Sequence, residues 1–357
     1  MSQIAINTPT NEAAKRPQFR PTLLAALRYI SAWATAEVLW AVLNDEELLS
    51  ALEEGVDAQV LVERLGGGDE RAAHALLEAL RCEGVLARVD NLWRLAPELE
   101  ELRAVRGWLE LFLAGYRPLF QKVGTLIRDG AGSVPRSDLH VALGSAGMAA
   151  FDAIPLILRL MERVGPEGRS VLDYGCGNAS YLTTLCSQNP TLQAVGVEVA
   201  EETVVSAREH VERCGMSDRI SIVHASAPDF VPHLEVDFVV FAFVLHEVVA
   251  DRGIDGTVQF LNTVGQRFPD AKLLVVEVSD PHLEGRSNLL AEDPQGRGYY
   301  NWYVWLHSVT NQRLLREDDW IEIFTRAGFR LIAKEGVDPV VDPTGLEMGY
   351  GLEFADG

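Results

Sequence analysis

The feature that most constrains this chain is a change of rhythm at Ser170. From there short apolar runs alternate with amphipathic stretches. Ser170–Tyr174, Ala194–Glu198, Ile220–His224, Asp237–Ala242 and Lys272–Val278 read as strands, with helices such as Glu201–Cys214 between them. Strands separated by helices need crossover connections, so the pattern predicts a parallel, doubly wound α/β sheet with right-handed crossovers. Phe329–Val337 and Leu346–Phe354 follow as adjacent strands joined by a Pro/Gly/Asp-rich link. They predict an antiparallel edge pair, and so a seven-stranded sheet whose last strand is antiparallel.

The 357 residues are enough for about two domains at ~100–200 residues each. Residues 1–18 read as a flexible polar tail. Pro21–Leu43 reads as an unusually apolar helix, carrying Leu23, Leu24, Leu27, Ile30, Trp33, Ala34, Val38, Leu39 and Val42. A helix apolar on so much of its surface is expected to be buried, in part by a second subunit. A short helix from Asp57 ends at Gly66-Gly67-Gly68, and another spans Glu70–Glu83. Val85–Arg88 and Leu92–Leu95 flank Val89-Asp90-Asn91, a hairpin signal. Three helices and a hairpin give the winged-helix order. The third helix carries Asp69, Glu70 and Glu78 against Arg71 and Arg81, which does not suit a nucleic-acid groove. The expected division is therefore a winged-helix-like, mainly α dimerisation domain over 19–100, connecting helices over 101–165, and an α/β domain over 166–357.

Composition narrows the partners. The formal net charge is −21, which repels phosphate backbones and anionic membranes, so no nucleic-acid or membrane partner is expected. Cys82, Cys176, Cys186 and Cys214 form no CxxC pair and fit neither a zinc finger nor a disulfide scaffold. Free thiols, a polar Met1–Arg16 without an apolar signal core, and no apolar run of ~18 residues predict a cytoplasmic protein.

The first strand of the sheet runs into Asp173-Tyr174-Gly175-Cys176-Gly177-Asn178. In such sheets ligands bind beyond the carboxyl ends of the strands, and glycines there let the backbone come close. A dinucleotide turn would carry Gly-x-Gly-x-x-Gly, but Ser180 stands at the third glycine and an acid precedes the first. S-adenosylmethionine (SAM) has no phosphate and carries an ammonium and a sulfonium, so an acid at the turn suits it. Glu198, at the tip of the second strand, can accept both ribose hydroxyls. Ser226 follows the third strand, where the adenine is expected, and Phe243 follows the fourth, beneath the methionine part. The expected cofactor set is thus Asp173, Tyr174, Gly175, Gly177, Glu198, Ser226 and Phe243.

The whole chain resembles the SAM-dependent small-molecule methyltransferases that pair an N-terminal winged-helix dimerisation domain with a C-terminal Rossmann-like SAM domain. Val171-Leu-Asp-Tyr-Gly-Cys-Gly177, Phe243-Val-Leu-His246-Glu247, and Leu306-His307 about twenty residues before Arg326-Ala-Gly-Phe329 carry the resemblance. Within that group it looks most like the bacterial α-keto acid C-methyltransferases of unusual amino-acid biosynthesis, which act on substrates such as 2-ketoarginine (5-guanidino-2-oxopentanoate) and phenylpyruvate. The resemblance implies a homodimer, a small-molecule substrate, and a metal ion held by two histidines, whose matching positions here are His246 and His307. A cation on the carboxylate and keto oxygens would act as a Lewis acid and stabilise the enolate whose β-carbon attacks the SAM methyl. Imidazole suits iron and zinc.

Two rival readings stand beside that one. In plant-type O-methyltransferases a Leu-His-Asp-Trp segment occupies the place of Leu245–Val248, and a histidine near the place of His307 is the general base toward a phenol. A metal-free O-methyltransferase with His307 as base is therefore the alternative. A winged-helix regulator that only senses SAM is a third, disfavoured by the acidic third helix. Glu247 is expected either to orient a ligand or to move a proton. Tyr299, Tyr300, Trp302, Tyr303 and Trp305 crowd the segment expected to wall the substrate, with Tyr299, Trp302 and Tyr303 as its contacts. Such rings can stack on a guanidinium or equally enclose a phenyl group. Arg136 reads as an ordinary surface arginine, and His74, His140, His210, His224, His233 and His282 as structural or surface residues.

Overall fold

The computed structural model describes residues 16–165, 167–227, 230 and 235–355, so most of the expected tail and His233 lie outside the described residues. The chain forms two compact units, residues 1–105 and 106–357.

The first unit contains α1 (Phe19–Leu43), α2 (Glu46–Glu54), α3 (Ala58–Arg64), α4 (Glu70–Cys82) and the hairpin strands β1 (Leu86–Val89) and β2 (Leu92–Leu95). The sequence reading had no α2, although Asp45 signals its start. Asp45, Asp57 and Asp69 each accept a backbone N–H of the first turn of α2, α3 and α4, the standard way to satisfy a helix start. The winged-helix trio is therefore α2 to α4, and α1 is an additional helix. Asp90 and Asn91 both have positive φ, 50° and 65°, as a tight hairpin turn requires. Val56 pairs its backbone with Trp93 in both directions, and Leu49, Leu52, Leu77, Leu80 and Trp93 form the core. Along α1, only Val42 and Leu43 are buried. Phe19, Leu23, Leu24, Leu27, Tyr29, Ile30 and Trp33 are exposed, so the burial expected for this helix is not provided by the described residues.

The second unit opens with α5 (Arg106–Glu110), a π-helical turn (Leu111–Gly115), α6 (Arg117–Gln121), α7 (Val123–Asp129), α8 (Asp138–Ala149) and α9 (Ala153–Val164). These helices were expected as connectors, but they belong to the same compact unit as the sheet. The α/β part follows: β3 (Ser170–Tyr174), α10 (Ser180–Gln188), β4 (Gln193–Glu198), α11 (Glu201–Arg213), β5 (Ile220–His224), β6 (Phe238–Ala242), α12 (Leu245–Arg267) and β7 (Lys272–Val278). Then come α13 (Leu289–Glu292), a π-helical turn (Gly296–Tyr300), α14 (Asn301–Val309), α15 (Glu317–Arg326), β8 (Phe329–Gly336) and β9 (Glu347–Phe354).

The seven-stranded sheet has the order β5-β4-β3-β6-β7-β9-β8, with β9 antiparallel to both its neighbours. The chain moves outward one way from β3 and the other way from β6, so the crevice of the switch point opens beyond the carboxyl ends of β3 and β6. Successive strand residues face opposite sides, and both sides are dry. Val171, Ile222, Val240 and Leu274 pack with α9, α10 and α11, while Leu172, Val239, Phe241 and Val275 pack with α12 and α15.

Helix α9 lies on the β7–β9–β8 side, with Ile154, Leu156, Ile157 and Leu160 buried. It comes so close to β9 that a Cβ on Gly349 would lie 2.9 Å from both Leu156 Cγ and Leu160 Cδ1. No single helix among the described residues is long and apolar enough to cross a membrane; the bent pair α8–α9 passes by length and composition together, yet α9 is a helix of this core.

The close α9–β9 contact gives a direct test. Leu156→Ala should destabilise the full chain by about 2–5 kcal/mol, through lost burial plus an unfilled cavity, in urea denaturation. Gly349→Val should also destabilise it, by roughly 1–3 kcal/mol, because the added methyls have no room.

Candidate active site

Beyond the carboxyl ends of β3, β4 and β6 lies a cavity of about 380 Å³. Asp173, Gly175, Gly177, Glu198, Ser226 and Phe243 all line it, so the structure brings together six of the seven residues expected around the cofactor. The seventh, Tyr174, does not line it. Its ring is buried and stacked on Phe241 at 4.9 Å, and its hydroxyl donates to the Phe230 carbonyl at 2.8 Å.

Hydrogen bonds lock the turn after β3 to the tip of β4. Gly175 N–H donates to the Val197 carbonyl at 2.7 Å, and Gly177 N–H donates to Glu198 Oε2 at 3.1 Å. The other Glu198 oxygen accepts from Val199 and Ala200 N–H at 2.8 and 2.9 Å. Gly175 has φ 74°, and a Cβ there would sit 2.3 Å from Val244 Cγ2, so both conformation and space demand glycine. Two acids sit on this wall. Burial, then the Glu198 charge, pushes Asp173 well above the usual carboxylate range. Burial also raises Glu198, against the pull of its three N–H donors. Both shifts describe a wall ready to be neutralised by a positive ligand.

A second, narrower cavity of about 70 Å³ shares Arg136, Val141, Ser145, Phe243 and Glu247 with the first. The two compartments therefore have a common wall. Phe243 on that wall has φ 58°, an uncommon left-handed conformation for a bulky residue, held by its N–H to the Val276 carbonyl at 2.9 Å.

His246 and His307 meet in the second cavity. Their ring centroids are 4.9 Å apart, and both residues are buried. Glu277, in the middle of the sheet on β7, accepts from His246 N–H at 3.2 Å and from His246 Nδ1 at 2.8 Å. His307 Nδ1 lies 2.7 Å from the Tyr303 carbonyl. A carbonyl can only accept, so His307 Nδ1 carries the proton and Nε2 keeps its lone pair. Both rings thus have Nδ1 engaged and Nε2 to offer. Burial works against a charge on His246, but the Glu277 carboxylate outweighs it and raises the imidazole pKa. Burial and the His246 charge hold His307 well below the usual range, so it is neutral at neutral pH. Among the described residues no cluster of three or more metal-ligating side chains occurs.

Around the pair, Glu247 accepts from Arg136 Nη2 at 2.9 Å and from Gln312 Nε2. Burial would raise Glu247, but the Arg136 charge wins and keeps it ionised. Arg136 is not the surface residue the sequence suggested: it lines both cavities, bonded also to Asp138 at 2.8 Å. Tyr299 and Tyr303 line the second cavity, and the Tyr303 ring lies 3.9 Å from that of His307. Trp302 does not line it; half-exposed, it packs against Phe120 and Trp305. Tyr116, Asp152, Gln312 and Glu347 are among the lining residues that escaped the sequence reading as site groups. Glu277 escaped it too, although an acid inside the apolar run Leu273–Val278 is a readable signal. Of the other histidines, His74 packs edge-on to Trp93, and His140, His210, His224 and His282 each have a polar partner away from this pair.

Residues 149–334 match the methyltransferase domain family. The chain is 31% identical over 345 residues to 2-ketoarginine methyltransferase of Streptomyces arginensis, covering 95% of this chain and 98% of that one. Among solved structures it resembles mitomycin 7-O-methyltransferase MmcR, with a TM-score of 0.66 at 17% identity over 96% of this chain and 100% of that one. It also resembles N,N-8-amino-8-demethyl-D-riboflavin dimethyltransferase (RosA) from Streptomyces davawensis, with a TM-score of 0.60 at 17% identity over 93% and 99%. These two likenesses concern the fold.

The His246–Glu277 pair makes a spectroscopic prediction. Glu277→Gln removes the charge that raises the imidazole, so the His246 pKa should fall in an NMR titration of the ring nitrogens, while His307 stays neutral throughout the neutral range.

Proposed function

The chain belongs to the SAM-dependent methyltransferase family, and on that footing we propose that it transfers a methyl group to the β-carbon of a small 2-oxo acid, with 2-ketoarginine the first candidate. The observation that carries this reading is the buried His246–His307 pair, with each Nδ1 engaged, in a cavity sharing a wall with the cofactor compartment. The similarity to 2-ketoarginine methyltransferase supports the choice of acceptor.

For the cofactor, Glu198 takes the ribose hydroxyls on lone pairs not used by the backbone. Asp173 faces the positive methionine end, and the turn at Gly175 and Gly177 carries the close backbone approach. Ser226 lies by the adenine, and Phe243 offers its carbonyl to the ammonium. This seating directs the methyl group toward the common wall.

The histidine pair fits a metal ion. Two imidazoles lie side by side with each Nδ1 engaged, and a buried carboxylate orients one of them from behind, the outer-shell support typical of metal-bound histidine. His246 and His307 would hold the ion through Nε2, leaving positions for the two oxygens of a 2-oxo acid. Bound there, iron or zinc supplies Lewis acidity that eases loss of the β-proton. The chain's own residues do the rest. Glu277 fixes the His246 ring, and Tyr303 fixes that of His307. Glu247, ionised and facing both compartments, takes the β-proton, with Arg136 and Gln312 holding it in place. Holding the carbon in line with the methyl removes much of the entropic barrier.

A second reading is O-methylation of a phenolic natural product with His307 as base. The tautomer of His307 favours it, since the proton on Nδ1 leaves the Nε2 lone pair to accept another without any metal. The two readings separate cleanly. On the first, the purified protein carries iron or zinc and methylates 2-oxo acids, chelator abolishes turnover, and His246→Ala and His307→Ala each lose the ion. Phenol methylation insensitive to chelator, with 2-oxo acids inert, would overturn it.

We also propose a homodimer built through the first unit, because α1 presents Leu23, Leu27, Ile30 and Trp33 uncovered. A Leu27→Glu/Trp33→Glu variant should sediment as a monomer while the wild type sediments as a dimer.

A further inference from the structure

The second cavity contains two carboxylates that the chemistry at the histidines does not use. Asp152 precedes α9 and accepts the Ala153 N–H, and Glu347 opens β9. Both are 4% exposed and both line the cavity. Glu347 Oε1 is buried with no hydrogen-bond partner. Their neighbour Asp342 differs: it does not line the cavity, and its oxygens are occupied by Thr344 N–H at 3.0 Å and Glu347 N–H at 3.2 Å.

Among the described residues no arginine or lysine pairs with Asp152 or Glu347. Arg136, the cation on the cavity wall, is held by Asp138 and Glu247. Arg286 turns to the Thr344 carbonyl. Burial accordingly pushes Asp152 up to about 6 and Glu347 well above the usual carboxylate range. Buried acids without a cationic partner are costly, and the arginine on this wall, Arg136, is already committed to Asp138 and Glu247.

Aromatic rings adjoin the acids. Tyr299 lies 4.8 Å from Tyr300 and 5.4 Å from Tyr303, centroid to centroid, and all three phenols are pushed up by burial and then by nearby anions that include Asp152 and Glu347. Tyr303 also packs on His307, so it links the acids to the histidine pair.

We infer that Asp152 and Glu347 are the residues that receive the guanidinium tail of the acceptor and so set its preference over an uncharged tail. The inference rests on the 2-oxo acid reading, whose first candidate already carries a guanidinium, and adds the residues that receive that end. A guanidinium is planar, has donors on several edges to meet two carboxylates, and stacks on tyrosine faces. A phenyl tail in the same place would leave both acids buried and unpaired, which selects against it. The two carboxylates therefore determine specificity, while the histidines handle the reacting end.

The test compares 5-guanidino-2-oxopentanoate with 5-ureido-2-oxopentanoate, its uncharged near-isostere, and with phenylpyruvate, using the full chain and SAM. The guanidino acid should exceed the ureido acid in kcat/KM by on the order of 100-fold, the usual effect of a buried charge pair. Glu347→Gln and Asp152→Asn should each shrink that ratio by about tenfold or more. Glu347→Gln should melt no lower than wild type, since it removes an unpaired buried acid. In a second arm that needs no turnover and no variant, n-butylguanidine should bind the wild type in calorimetry and n-butylurea should not. Equal use of the guanidino and ureido acids, or a preference for phenylpyruvate, overturns the inference and leaves the 2-oxo acid reading intact. If no 2-oxo acid of any charge is methylated, that underlying reading fails, and the butylguanidine arm alone decides whether the acids form a cation receptor.

Discussion

The double hydrogen bond that His246 donates to Glu277 is the interaction on which the rest of the active region depends. Through one carboxylate, β7 holds both the first turn of α12 and the ring of the second α12 residue. Taking that carboxylate out of water is costly, and the cost is met only because both of its oxygens find donors. Once the ring is fixed, its distance to His307 and its place behind the common wall follow from the sheet. The imidazoles are then as rigid as the strands beneath them, which a site built on loops would not achieve.

The layout separates two tasks along the carboxyl edge of the sheet. On the β3–β4 side, glycines and acids form a backbone-lined compartment that suits an extended cationic ligand. On the β6–β7 side, histidines, tyrosines and buried acids form a smaller side-chain-lined one. Arg136, Glu247 and Phe243 belong to both. On the proposed reading the reacting groups of the two molecules meet at that wall, so the fold sets the place of the chemistry before any catalytic side chain acts.

Much of this was legible in the sequence, and the reasons for the remainder are specific. The sheet was readable because buried parallel strands are apolar runs and the helices between them have a different period. The turn at Gly175 was readable because glycine is needed there for both conformation and space. Tyr303 and His307, four residues apart on α14, share a face, and the same spacing leads back to Tyr299; Trp302 lies out of phase, and that phase could have been read. Asp152 and Glu347 are another matter. One looks like a helix cap and the other like the first residue of a strand, and nothing local brings them together. Their meeting depends on α9 lying across β9, a contact between residues almost two hundred positions apart. Arg136 was misjudged for a similar reason, since its burial comes from partners distant in the chain. The helix α2 was missed although Asp45 marked its start.

The left-handed backbone at Phe243 has an evolutionary consequence. Most side chains resist that conformation, and glycine, asparagine and aspartate accept it most readily. Drift at this position is thus filtered by main-chain geometry before any ligand exerts selection. Descendants that remodel the acceptor chamber will tend to keep an aromatic residue there or change abruptly to a small or amide one, and gradual passage through β-branched residues is closed to them.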